Sequence, residues 1–231
     1  MLVSIGEPKA DPFEAPAGQL RLDETRLPSI ERDGGGAAVR FATWATRLGE
    51  KARFIAAPGD DRGRTHLLAQ VVKAGVHVCT ASSDDLDFCL EGVTLLHLEA
   101  ADLFATPLQS LARLAMDGAR KRGALISLEL TETGWISSYG APRTAYQLAT
   151  LRPDLLFASQ EAAGELGIPL EGVANVAVTM LGARGCSVFG RVVPAPESGD
   201  RSTSALAAAF CVAYLEGATP LEAAGRAVLL A

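Results

Sequence analysis

The stretch SGDRSTSALAAAF (198–210) joins a polar, glycine-containing loop to an apolar, alanine-rich segment that reads as a helix. The first backbone N–H groups of a helix have no partner within it and carry partial positive charge. Such a junction can therefore hold an anion. Arg201, Ser202, Thr203 and Ser204 are the residues expected to line this anion hole. Asp200 adds one carboxylate beside it, either as a base for a substrate hydroxyl or as a solvated loop residue or helix cap. The first role makes an enzyme; the second leaves a cradle with no base.

Other chemical clusters are missing from the sequence. Cys79, Cys89, Cys186 and Cys211 are scattered with no C-x-x-C pair, and His66, His77 and His97 form no H-x-x-x-H motif. The expectation is buried reduced thiols, ordinary histidines and no metal site. A net charge of −6 argues against a nucleic-acid partner, which usually requires a basic face. The amino terminus, MLVSIGEPK, lacks the basic and long apolar regions of a secretory signal, and the longest apolar stretch, 205–215, is too short to span a bilayer. These features predict a cytoplasmic protein with no membrane partner.

The elements that must position the 198–210 junction follow a regular alternation. Hydrophobic residues make up 48% of the 231, enough for one sizeable α/β core. Short apolar runs at 2–5, 52–56, 76–78, 93–98, 124–130, 155–159 and 175–180 read as strands. Helical patterns fall between them at 34–48, 66–73, 107–122, 142–151 and 160–166, and two more close the chain. In 107–122 the inward residues are expected to be Leu108, Leu111, Leu114 and Ala115. The segment 186–193 reads as further strand beyond the glycine-bearing turn LGARG. Thr219 and Glu222 form a capping box around Pro220. Nearly continuous apolar strands alternating with helices predict a mostly parallel sheet covered on both faces, in a single domain spanning 1–231. The segment 12–33 breaks the pattern and reads as a small two-stranded excursion.

The order of landmarks resembles the ribokinase-like (PfkB) carbohydrate kinase family. The "I-G-E…D" start is Ile5, Gly6, Glu7 and Asp11; the double-glycine helix is GGAAVRFATWATRLG (35–49); "G-D-D-x-x-G" is Gly59 to Gly63. "L-x-x-x-G-V" resembles 71–76, TMLGARG (179–185) approximates "T-x-G-x-x-G", and 205–217 matches the helix ending in "L-x-G". The resemblance implies a Rossmann-like core with a small β lid, for which the 12–33 excursion is suitably placed. It implies substrate binding by Asp11, Gly35, Gly36 and the position of Arg40, and nucleotide binding by Gly182 and Gly185. It also implies ATP and Mg²⁺ as cofactors, with an aspartate as base and helix N–H groups stabilising the transferred phosphoryl.

The chain departs from that pattern where the chemistry is concentrated. Counting back from Leu215, Glu216 and Gly217, the catalytic aspartate of G-A-G-D falls on Ser204, whose hydroxyl has no base strength near neutral pH. Arg201 and Thr203 stand where the family has glycine. The magnesium-organising N-x-x-E becomes Ser159, Gln160, Glu161 and Ala162, and the sugar-contacting asparagine becomes Arg40. The chain is short for the family, compressed between Cys79 and Val93, and ends at Ala231, about where further helices would complete an adenine pocket.

Three readings follow. The leading one is a ribokinase-like protein that has lost phosphotransfer and acts as a ligand-binding or structural protein, as a homo-oligomer or in a larger complex. The alternative is an active kinase of a small sugar or sugar-like alcohol, with Asp200 as base and ATP and Mg²⁺ bound. The third is a sensor of a sugar phosphate or other anion, using Arg40, Arg201 and the helix N-terminus.

Overall fold

A computed structural model describes residues 1–8, 35–59, 62–104, 108–196 and 202–230. The predicted 12–33 excursion, together with Asp11, Asp60, Asp61, Asp200 and Arg201, lies outside the described residues.

Seven strands run parallel: β1 (Leu2–Gly6), β2 (Ala52–Ala56), β3 (His77–Thr80), β4 (Leu95–Glu99), β5 (Leu125–Leu130), β6 (Leu155–Ser159) and β7 (Val176–Met180). The hairpin β8 (Cys186–Val188) and β9 (Arg191–Val193) adds antiparallel to β7, and the nine-stranded order is β3-β2-β1-β4-β5-β6-β7-β8-β9. Phe189 and Gly190, both with positive φ, make its two-residue turn; that twist matches the flanking strands. The strand pattern at 186–193 thus resolves into two short strands that reverse direction at the sheet edge.

Successive strand residues feed opposite cores, as a sheet covered on both faces requires. Ile5, Leu96, Leu98, Ile126 and Leu128 point into one core. That side carries α3 (Leu86–Cys89), α4 (Gln109–Lys121), α5 (Gly134–Tyr139), α6 (Ala141–Leu151) and α7 (Gln160–Leu166). Leu2, Phe54, Leu95, Leu155 and Phe157 face the other core. There they meet α1 (Ala37–Arg47), α2 (Arg62–Lys73), α8 (Thr203–Leu215) and α9 (Pro220–Leu230).

Helix α8 is apolar around most of its circumference because it is covered on several sides. It packs against both α1 and α9 and over the sheet, and alanines at 205, 207, 208, 209 and 213 let these neighbours approach closely. Phe210 is its one large fully buried side chain, edge-on to Phe157 at 5.3 Å between ring centres and stacked against Tyr214. The predicted capping box of α9 is present: Glu222 accepts from the Thr219 N–H at 2.9 Å, and Thr219 Oγ1 accepts from the Glu222 N–H at 3.4 Å.

Two sequence expectations are corrected. Leu114 is 48% exposed, because α4 turns the stripe Ala112, Ala115, Met116 and Ala119 inward, below Leu108. Helices α3 and α5 were not anticipated, since four and six residues are too few to display a helical period.

Replacing Phe210 with alanine removes the aromatic anchor between α8 and β6. The expected cost is about 3–5 kcal/mol, read as a lower denaturation midpoint at unchanged m-value.

Candidate functional site

Strands β2 and β3 lie on one side of β1, and β4 onward on the other, so chain direction switches between β1 and β4. In an open parallel sheet the crevice at the carboxyl ends of such strands is the preferred ligand position. Five elements converge there. Strand β1 ends at Gly6, β4 ends at Glu99, β5 carries Glu129, and α1 and α8 present their N-termini. A Cβ on Gly6 would lie 2.8 Å from the Ala38 Cβ, so glycine at this position lets α1 settle onto β1. Gly35 and Gly36 enter α1 with φ of 70° and 89°, a backbone that glycine adopts without strain.

Apolar packing on the α1/α8 face of the sheet gives way to a row of polar residues at its centre. Ser4 is in register with His97, His97 with Ser127, and Glu99 with Glu129. All five are buried. Ser4 Oγ donates to the Ala38 carbonyl at 2.7 Å. The His97 ring lies parallel to Phe41 with centres 3.8 Å apart, its Nδ1 is 3.0 Å from Ser127 Oγ, and Nε2 donates to Glu129 Oε2 at 3.3 Å. Cys211 Sγ donates to Ser127 Oγ at 3.8 Å.

The other Glu129 oxygen meets α8. Thr203 Oγ1 and Ser204 Oγ, on the first two residues of that helix, donate to Glu129 Oε1 at 2.9 and 3.1 Å. Burial alone would push the Glu129 carboxyl up. The His97 hydrogen bond and charge, followed by the two hydroxyl donors, outweigh it and hold the carboxyl below its ordinary value. A carboxylate at a helix N-terminus also opposes the helix dipole favourably.

Ser204 is therefore fully buried and faces the sheet rather than the crevice. Thr203 is shared between Glu129 and a cleft on its other side. That cleft holds about 330 Å³ of empty space open to solvent, and brings Ser202 and Thr203 together with Gly182 and Gly185. Met180, Ala195, Leu206 and Val228 complete its wall. Two groups of residues expected from sequence to bind an anion and a nucleotide thus border one space. Gly185 has a separate structural duty: its φ is 90°, and a Cβ there would fall 2.1 Å from the Val193 carbonyl oxygen.

Arg40, Ser159, Glu161 and Asp102 have these local surroundings. Arg40 is half-buried on α1, and Gly36 accepts its backbone N–H at 3.0 Å. Ser159 is the N-cap of α7, accepting from the Ala162 N–H at 3.0 Å, while exposed Glu161 accepts from Thr133 Oγ1 at 3.4 Å. Asp102, in the turn after β4, is buried beside Gly6. Sequence reasoning took His97 for an ordinary histidine and passed over Ser127 and Glu129. Their signal was a polar residue at every second position of strands otherwise wholly apolar.

No family model matches the sequence, and no curated protein matches it. Solved structures do match. The adenosine kinase of Sinorhizobium meliloti superposes with a TM-score of 0.74 at 18% identity, over 85% of this chain and 76% of that one. An uncharacterized sugar kinase from Pyrococcus horikoshii gives 0.73 at 20% identity, over 98% and 90%. The aminoimidazole riboside kinase of Salmonella enterica, complexed with aminoimidazole riboside and an ATP analog, gives 0.73 at 16% identity, over 98% and 91%. The fold is ribokinase-like. Identities this low establish the ribokinase-like architecture and leave its chemistry to the residues.

Glu129 gives this fold an acid-sensitive joint. Its carboxyl titrates lower in the folded chain than its ordinary value of 4.5, so its contribution is complete above that value and is lost as pH falls below it. Glu129→Gln is expected to cost about 1.5–3 kcal/mol at neutral pH and to flatten the loss of stability below pH 4.5, read by denaturant melts across pH. Gly185→Ala is expected to destabilise by more than about 1 kcal/mol, through strain in the turn before β8.

Proposed function

We propose that this chain is a ribokinase-like protein that binds a small ligand at the carboxyl ends of β1, β4 and β5 and has lost phosphoryl transfer. The observation that carries this reading is the Ser204 hydroxyl, fully buried and donating to Glu129 at 3.1 Å. By the resemblance, that position belongs to the base. Here its side chain holds a helix to a sheet.

Glu129 does not replace the missing base. A general base needs a free lone pair facing the substrate and a pKa near working pH. Glu129 is buried, its two oxygens accept from His97, Thr203 and Ser204, and its carboxyl titrates low. Its charge also lies against the first turn of α8, which weakens the pull of that helix end on a second anion. This favours an uncharged polyhydroxy ligand over a sugar phosphate. An assembly role, as a homo-oligomer or within a larger complex, belongs to the same reading.

The kinase alternative draws support from the cleft, where Gly182 and Gly185 border the start of α8. It requires Asp200 as base and a seat for ATP and Mg²⁺. The residues at the magnesium-organising position fit that duty poorly, because Ser159 caps α7 and Glu161 is engaged by Thr133.

Calorimetric titration with ATP–Mg²⁺ tests the proposal, followed by ADP-release assays across sugars and sugar alcohols. The expected result is no turnover, with Asp200→Asn indistinguishable from the parent. ATP-dependent turnover abolished by Asp200→Asn and untouched by Ser204→Ala would refute it. Thermal-shift screening is expected to show stabilisation by an uncharged sugar or polyol and little by phosphosugars.

A further inference from the structure

The cleft between the 181–185 turn and the start of α8 would suit a phosphate if both of its ends offered free donors. The turn satisfies itself instead. Leu181 donates its N–H to the Gly185 carbonyl at 2.8 Å, Gly185 donates to the Gly182 carbonyl at 3.0 Å, and Arg184 donates to the Leu181 carbonyl at 3.3 Å. The place of a side chain on Gly185 is filled by the backbone of residues 193–195, which closes that side to a ligand. The Arg184 guanidinium is drawn away from the cleft, donating to Gln160 Oε1 on α7. None of the described residues that line the cleft has a charged side chain.

The α8 end is equally poor in donors for an anion. Thr203 has one hydroxyl proton, and it points at Glu129. Its side chain can turn only a methyl group or an oxygen lone pair to the cleft, and neither donates to a phosphate oxygen. The Glu129 carboxylate stands behind it, a full charge set against the partial positive charge of the helix end. Ser202 differs. It is the N-cap residue of α8, yet its side chain makes no capping bond, which leaves its hydroxyl to a ligand. The rest of the wall is apolar, with Met180, Leu206 and Val228 all buried residues.

We propose that this cleft binds an uncharged ring compound carrying one hydroxyl or amide group, and rejects phosphates. The ring lies against Met180, Leu206 and Val228, and the polar group meets the Ser202 hydroxyl, which can both donate and accept. About 330 Å³ of empty space admits such a molecule, and a rigid ring loses less freedom on entry than a flexible chain. This is a second site, beyond the crevice at β1, β4 and β5, and it does not depend on what binds there.

Benzyl alcohol and benzyl phosphate share a ring and differ in the group attached to it. Ligand-observed NMR titration of the full chain with each provides the test. Benzyl alcohol is expected to bind with a Kd of about 1–10 mM, as befits so small a molecule. Benzyl phosphate is expected to bind at least about tenfold more weakly, and ATP–Mg²⁺ to leave benzyl alcohol in place. Ser202→Ala should weaken benzyl alcohol about fivefold. Glu129→Gln should narrow the gap between the two probes to about threefold, a change of ratio that general loosening of the fold would not produce. Ala195→Phe, which fills the cleft, should abolish binding; should that variant fail to fold, Ser202→Ala decides in its place. No binding of benzyl alcohol, equal or tighter binding of benzyl phosphate, displacement by ATP–Mg²⁺, or an affinity unchanged by Ser202→Ala would each overturn the assignment.

Discussion

The structure turns on one buried carboxylate. Glu129 leaves an interior strand with no water to solvate it, and an uncompensated charge there would cost several kcal/mol. Three donors from two directions remove that cost: His97 from the neighbouring strand, and Thr203 with Ser204 from α8. The donors must be where they are. Helix α8 can therefore neither rotate nor slide along the sheet without stranding the charge. Phe41 completes the arrangement by covering the His97 ring, which ties α1 to the same point.

Small side chains around this point serve the same constraint. For the α8 hydroxyls to reach β5 the helix must lie close to the sheet. Its alanines permit that on the sheet side and against α1 and α9. Gly6 does likewise under α1, where a methyl group would collide with Ala38. The polar row and the small-residue contacts are two halves of one solution. Close approach without the carboxylate would leave the hydroxyls buried and unsatisfied, and the carboxylate without close approach would be unpaired.

Much of this architecture was legible in the sequence, because its strands are bounded by glycine and its helices carry end signals. The strand at 52–56, the helix at 160–166 and the Thr219–Glu222 capping box are found as the pattern indicated. The resemblance to ribokinase-like kinases, carried by glycines at 6, 35, 36, 182 and 185, was a resemblance in backbone demands. Gly6 and Gly185 show why, since each answers a steric need of the fold itself. The polar row was harder to read. His97, Ser127 and Glu129 come from segments thirty residues apart, and only sheet register brings them side by side. The orientation of α4 was misjudged for a related reason: alanines carry little hydrophobic signal, so Leu114 looked like core while Ala112 and Ala119 occupied it.

The relation between positions 204 and 129 bears on how such a scaffold changes use. An aspartate at 204 would set a further carboxylate within hydrogen-bonding distance of Glu129, in a buried site where Glu99 already lies opposite it on the neighbouring strand and where like charges resist joint ionisation. Either one acid would hold a proton and lose base strength, or the first turn of α8 would lift from the sheet. Serine donates where aspartate would repel. A glutamate on β5 and a hydroxyl at the head of α8 are thus mutually required. Placing an acid at the helix end would demand a compensating change on the strand, and that coupling ties positions 204 and 129 to one another.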